Sequence, residues 1–187
     1  MRVSREQAVQ SRERIVAVAS RRFREVGFGG IGVADVMREA GFTHGGFYGH
    51  FSSKEDLIAQ ACAHGIGESE ERWRKRIAAR PDDALAAMTR FYLNTQHRDN
   101  PGDGCTMAAL ATEAARQGPE VRGAFTEGLR SAFASIAALI RARDPAEKRR
   151  KAIHTYASWV GAMVLARATE DAKLSREILD AVARETS

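Results

Sequence analysis

Apolar residues return every three or four positions along almost the whole chain, while the strict alternation of a half-buried strand is nearly absent. A chain patterned this way has to pack helix on helix, because each segment carries an apolar stripe that only another helix can cover. The expected fold class is all-α. Ile15, Ala19, Phe23 and Val26 share one face of a first helix, with Val16 at its edge, and Gly27 stops it. Arg22 projects toward the same face, its stem packing there while the guanidinium reaches solvent or an acid. A short second helix is predicted from about Val33 to Ala40 and a third from about His44 to His50, with Gly41 and Phe42 between them. Ser52 and Glu55, to within one residue, fit a capping box that opens a longer helix to about Ala79, striped by Ile58, Cys62, Ile66, Trp73 and Ile77.

Pro81, Pro101, Pro119 and Pro145 each precede a further apolar-periodic segment, as residues of a first helical turn do. Those segments carry Leu85, Met88 and Tyr92; Met107, Leu110 and Ala114; Val121, Phe125, Leu129, Ala132 and Ile136; Ile153, Ala157, Val160 and Val164. A last helix carries Leu174, Ile178 and Val182, and His97 to Gly104 reads as a loop.

The length of 187 residues is enough for a core without disulfides or metal. Cys62 and Cys105 are too few for a disulfide framework, and the opening MRVSREQAVQSRERI has no apolar signal core, so a reduced, cytoplasmic protein is expected. The purest apolar run, Gly161 to Ala166, is far short of the roughly 18 residues of a membrane span. Charge is uneven. Residues 1–54 hold nine Arg and Lys against five Asp and Glu, whereas the rest hold twenty against nineteen. A basic end on a near-neutral body points to a polyanion partner, the alternative being a solvated basic surface.

One stretch, AGFTHGGFYGHFSSKEDL from Ala40, crowds paired glycines, two histidines and four aromatics between helices. An interior glycine costs a helix roughly 1 kcal/mol against alanine, so Gly45 and Gly46 need a compensating use. A loop with a satellite aromatic cluster is one reading. The other follows from Val33 to Ala40, the turn at Gly41 and an N-cap at Thr43: a helix-turn-helix whose small residues let its second helix approach a DNA groove.

Over about Ser11 to Ile58 the chain resembles the DNA-binding domain of the TetR family of bacterial transcriptional regulators. The resemblance is carried by the end of the first helix at Phe23 to Phe28, Val33-Ala34-Asp35-Val36, Ala40-Gly41-Phe42-Thr43, Phe47-Tyr48-x-His50-Phe51 and Ser53-Lys54-Glu55. It implies a DNA-binding domain over 1–53 and a regulatory, ligand-binding and dimerising domain over 54–187. It also implies that Thr43, His44, Gly45 and Gly46 face base edges or adjoining backbone, and that Tyr48 gives its hydroxyl to a phosphate. Lys54 would meet a phosphate at the start of its helix, or be a solvated surface lysine. His50 either contacts phosphate or caps the short helix. Two places depart from the family pattern: Ile31-Gly32 stand where a Ser or Thr is usual, and His44 where Lys or Arg is common.

Around Ile153, Val160 and Val164 the apolar arc widens to Trp159 and Met163 on one side and Gly161, Leu165 and Ala168 on the other, too wide for one neighbour. A helix packed on its own domain and on a twin uses such an arc. Ile153, Val160, Gly161, Val164 and Leu165, with Ile178 and Val182 of the last helix, are therefore the expected homodimer interface, and WVGAMVLARAT followed by LSREIL resembles the family's dimer-forming pair. Met88, Tyr92, Met107, Phe125, Leu129, Phe133, Trp159 and Met163 are candidates to line an apolar ligand pocket, roughly three or four of them reaching the ligand and the rest serving as core. Cys105, at a helix start after Gly102-Asp103-Gly104, resembles the cysteine of family members that respond to electrophiles or oxidants; otherwise it is a small apolar residue there. Cys62 reads as core.

Cys62 and His64 point to opposite sides of a helix, and no phosphate-cradling loop or paired-carboxylate motif appears. The sequence thus predicts no enzyme, cofactor or metal site. It predicts a dimeric regulator of transcription on a roughly palindromic double-stranded operator, a repressor released by a small apolar or electrophilic inducer. An activator of the same fold and a helical interaction module without DNA binding are the alternatives.

Overall fold

A computed structural model describes residues 5–186. Nine α-helices follow one another among these residues, with no strand: α1 (Arg5–Val26), α2 (Val33–Glu39), α3 (Lys54–Ala79), α4 (Ala84–Tyr92), α5 (Thr95–Asp99), α6 (Thr106–Ala114), α7 (Pro119–Leu139), α8 (Pro145–Ala168) and α9 (Ala172–Glu185). Three 3-10 segments join them, His44–Gly49, Pro81–Asp83 and Pro101–Asp103. All four prolines open a helical segment, where a missing N–H costs nothing. Gly27 and Gly41, with φ of 78° and 85°, end α1 and α2 in a conformation other residues resist.

α1, α2 and the His44–Gly49 segment close over Ile15, Ala19, Phe23, Val36, Met37, Phe47 and Phe51, all buried. Val26, expected on the core stripe, is 43% exposed, because α1 ends there. α3 packs both on α1 and along α7, while α8 lies against α7, α6 and α9. The N-cap of α3 is Ser53, within the expected margin: its side chain accepts from Asp56 N at 3.0 Å, and the Asp56 carboxylate accepts from the N–H of Ser52, the residue before the cap, at 2.9 Å. Burial pushes the Asp56 carboxyl up, but hydrogen bonds from Ser52 and Gln60 outweigh it and hold it below its ordinary range.

The body is centred on an aromatic cluster. Tyr92 stacks on Trp159 at 5.4 Å, and Trp73 meets the edges of Tyr156 and Trp159 at 5.6 and 6.2 Å. Trp159 Nε1 donates to Thr186 Oγ1 at 2.9 Å, tying the end of the described chain to this cluster. The stretch read as a loop, His97 to Gly104, is instead ordered as the end of α5 and a 3-10 turn. Asn94 caps α5 by accepting from His97 N at 2.9 Å, and Pro101 opens the turn.

Candidate nucleic-acid interface and ligand cleft

The third helical segment covers His44–Gly49 as a 3-10 helix, tighter than the expected α-helix. Its Phe47 ring is buried and stacked 5.5 Å from Phe51, which turns the rest of the segment outward. Thr43, His44, Gly45, Gly46, Tyr48 and Gly49 are exposed, Tyr48 to 75%. Thr43 starts the segment through its carbonyl, which accepts from Gly46 N at 3.1 Å, and its side chain makes no capping bond. A Cβ placed on Gly45 or Gly49 meets nothing within 4 Å, and neither has positive φ. Nothing inside the chain therefore requires glycine at these two positions. The backbone there is open on its outer side to an approaching surface.

Basic groups flank the segment. Arg12 lies over the Phe51 ring at 5.5 Å and Arg14 over Phe42 at 5.9 Å, two α1 residues whose place beside this segment no sequence motif marks. His50 is half-buried between the rings of Phe42 and Phe51, at 6.1 and 6.3 Å. Lys54 is not a free ammonium: Nζ donates to the carbonyls of Phe28 at 2.8 Å and Ile31 at 3.3 Å, fixing the connection between α1 and α2 against the start of α3. α2 opens on Gly32 with no side-chain cap.

In the body a cleft of about 930 Å³ opens between the C-terminal half of α3, α4, α5 and the turn before α6. Trp73, Ala87, Tyr92, Gly104 and Cys105 are its buried lining, while Arg76, Arg80 and Arg90 stand exposed at its edge. Of the residues expected to line an apolar pocket, only Tyr92 reaches this cleft. Met107 lines a separate cavity of about 20 Å³ with Ile66, Trp73, Cys105 and Tyr156, room for about one water. Met88, Phe125, Trp159 and Met163 are buried in the core, and Leu129 and Phe133 pack half-buried against it. Most of those apolar side chains are consumed by helix packing, and the space that remains is walled by polar and basic groups and by apolar surface in about equal share.

Cys105 caps α6 at the seam of the two cavities, 7% exposed, its Sγ 3.4 Å from the Tyr156 hydroxyl. Its N–H donates to His97 Nε2 at 3.0 Å, so that His97 Nδ1 carries the proton given to the Tyr92 carbonyl at 2.7 Å. Burial pulls the His97 pKa down to about 4, against the smaller upward effect of that carbonyl, and the nearby Arg167 adds to the fall. The Tyr92 and Tyr156 hydroxyls are pushed well up by burial first and by Cys105 second. Cys62 is buried on α3, its thiol raised to about 12 by burial, and is core as expected. Among the described residues no group of three or more His, Cys, Asp and Glu side chains is placed to hold a metal, and no helix is long and apolar enough to cross a membrane.

Residues 15–61 match the family of bacterial regulatory proteins known as the tetR family, and residues 81–185, more than half of the chain, match the C-terminal domain of LmrA/YxaF-like transcriptional regulators. This chain belongs to the TetR family. An HTH-type regulator of Bacillus subtilis, YerO, is 35% identical over 65 residues, which are 35% of this chain and 22% of that protein. The chain spans less than half the length of the curated relatives it matches. A TetR regulator of Chloroflexus aurantiacus is 25% identical with a TM-score of 0.78, covering 96% of this chain and 95% of that one. The reduced form of Escherichia coli NemR shares the fold at 20% identity and a TM-score of 0.78, over 95% of each chain.

Within this TetR-family body, the face of α8 turned inward is Ala152, Tyr156, Trp159, Met163 and Ala166, all buried. The opposite face is less covered by the described residues: Ile153 is 40% exposed, Val164 37% and Leu165 59%, with Gly161 half-buried beside them and Val160 half-buried against the core. Ile178 and Val182 of α9 are half-buried too, and a Cβ on Gly161 would meet nothing within 4 Å. Of the residues expected at a dimer seam, Ile153, Val164 and Leu165 stand exposed, while Val160, Ile178 and Val182 also pack in part on the chain's own core.

Proposed function

We propose that the chain is a two-fold repressor that holds a roughly palindromic DNA operator in the cytoplasm and releases it when a small molecule occupies the cleft. The observation that carries this reading is the open outer face of Gly45 and Gly49, glycines with no internal use on a helix-turn-helix. Thr43, His44, Gly45 and Gly46 face base edges; Tyr48 and His50 meet phosphate, with Arg12 and Arg14 beside them. Lys54 serves that surface in two ways: it holds the turn before α2 in place and offers its remaining proton, with the α3 N-terminus, to a phosphate. Residues 1–53 are the DNA-binding unit and 54–187 the regulatory one. The uncovered apolar face of α8 and α9 pairs with its twin, which spaces two heads on DNA.

The test is selection of bound duplexes from a random pool. Two-fold related half-sites about one helical turn apart are expected; a pool that stays unenriched at low salt overturns the reading.

A second trigger has one observation in its favour: Cys105 lines the cleft wall, so an electrophile entering there reaches its sulfur. Alkylation would part it from the Tyr156 hydroxyl and add bulk at the start of α6.

A further inference from the structure

Arg72, Arg76 and Arg80 recur four residues apart along the cleft side of α3 and just past its end. Like charges at this spacing disfavour a helix, and the usual remedy is an acid between them. The outward residues of the same stretch have that remedy: Glu71 pairs with both Arg74 and Lys75. The cleft residues do not. Among the described residues no carboxylate pairs with Arg72, Arg76 or Arg80; Arg72 donates to Ser69 Oγ at 3.1 Å, and Arg76 lies 3.6 Å over the Phe91 ring. Arg90 alone is neutralised, by Asp83 at 2.6 Å, and Asp103 is the one acid of the lining. His97 adds no charge near neutral pH. The cleft is therefore cationic and incompletely paired, over a floor of Trp73 and Tyr92.

We propose that the cleft binds a small aromatic carboxylate, its carboxylate held by Arg72 and Arg76 and its ring lying against Trp73, Phe91 and Tyr92. Arginine suits this role because its planar fork meets a carboxylate with two parallel hydrogen bonds. Arg72 is the deeper anchor, half-buried and steadied by Ser69. The stacking on Phe91 holds the Arg76 guanidinium flat at the rim, leaving its edge for the anion. Arg80 attracts the anion from outside. The size of the cleft leaves room for a one- or two-ring acid with water. This inference rests on the cleft being the ligand site of the regulator proposed above, and it names the ligand's class.

The experiment uses the whole protein and naphthalene-2-carboxylate, titrated by calorimetry and by tryptophan quenching, against naphthalene-2-carboxamide and inorganic phosphate. The acid should bind at least about tenfold more tightly than the amide, and its affinity should fall with salt. Arg72→Gln and Arg76→Gln should each cost about tenfold, Arg72→Lys less, and Arg74→Gln, on the outward face, nothing. Equal binding of acid and amide, affinity untouched in the Arg72→Gln/Arg76→Gln protein, no binding at millimolar acid, or phosphate binding as well as the acid would each overturn the proposal. Release of selected operator DNA is scored separately. An acid that binds through these arginines without loosening DNA leaves the site standing and sinks the cleft's role as inducer site.

Discussion

Arg24 Nε, buried in α1, donates to the carbonyl of Gly102 at 2.8 Å and so joins the helix-turn-helix head to the turn that walls the cleft. The same guanidinium reaches Ser20 Oγ at 2.9 Å and Glu68 at 3.4 Å, and it fits only because Gly65 has no Cβ to collide with it. Burial lowers its pKa first, with Glu68 opposing. Close by, Phe28 N donates to Glu113 of α6 at 2.8 Å, a second tie between head and body. A ligand that moves the Asn100–Cys105 wall therefore pulls on the end of α1. Such a ligand changes DNA affinity only to the extent that it binds the DNA-bound and the free conformations unequally.

Arg24→Met removes the tie while keeping much of the volume. Left-over polar groups at Gly102 and Ser20 should cost about 1–3 kcal/mol in denaturant unfolding. Operator binding without ligand should persist, and release by naphthalene-2-carboxylate should be blunted. Full release with unchanged ligand affinity would show that coupling runs elsewhere.

His97 predicts a pH dependence. Its folded pKa of about 4 lies below the ordinary 6.5, so below pH 6.5 the unfolded chain takes up a proton that the folded chain refuses. Its contribution is complete above pH 6.5 and is lost as pH falls toward 4, on the order of 3 kcal/mol over that window. The neighbours on its packed faces, Arg167, Arg72, Tyr92 and Cys105, hold no carboxylate that would rescue the charged ring. Unfolding curves at pH 7 and 4.5 should differ by less in His97→Gln; the same pH response in both proteins would remove His97 as the cause.

Leu165→Glu or Val164→Glu puts a charge on the uncovered face of α8 without touching the core. Sedimentation should then report monomers that bind operator poorly. A protein that stays dimeric with both substitutions would place the interface on another surface.

Cys105→Ser separates the two triggers. If electrophiles act at this sulfur, a quinone should release DNA from the wild type and not from Cys105→Ser, with Cys62→Ser behaving as wild type. Equal responses from all three would leave Cys105 as the packed N-cap of α6.

The helices were legible because period, proline and glycine agreed: α3 runs to Ala79 as read, and Gly27 and Gly41 stop α1 and α2. The recognition segment stood out because glycine and aromatic side chains crowd where packing alone would not put them. The orientation of α8 was not legible in detail. With apolar residues all round, periodicity cannot say that Trp159 faces the core and Leu165 the solvent. The cleft was missed for a related reason. In Arg72 to Arg76 the sequence shows a solvated basic run, and only the position of α4 decides that 72 and 76 face inward while 74 and 75 pair with Glu71. A signal was present in the four-residue spacing of Arg72, Arg76 and Arg80. Arg24 hid beside Arg21 and Arg22, and its mark was a glycine, Gly65, inside a long helix.

The central claim, that the outer face of the His44–Gly49 segment lies against DNA, is tested most directly by Gly45→Ala and Gly45→Val in anisotropy titrations of the selected duplex. Both side chains enter open space at ordinary φ, so thermal stability should hold or rise, alanine gaining up to about 1 kcal/mol where glycine strains a helix. The account predicts that operator affinity nevertheless falls stepwise with size, by at least about tenfold for valine. Folded Gly45→Val protein that binds the duplex as tightly as the wild type would contradict it.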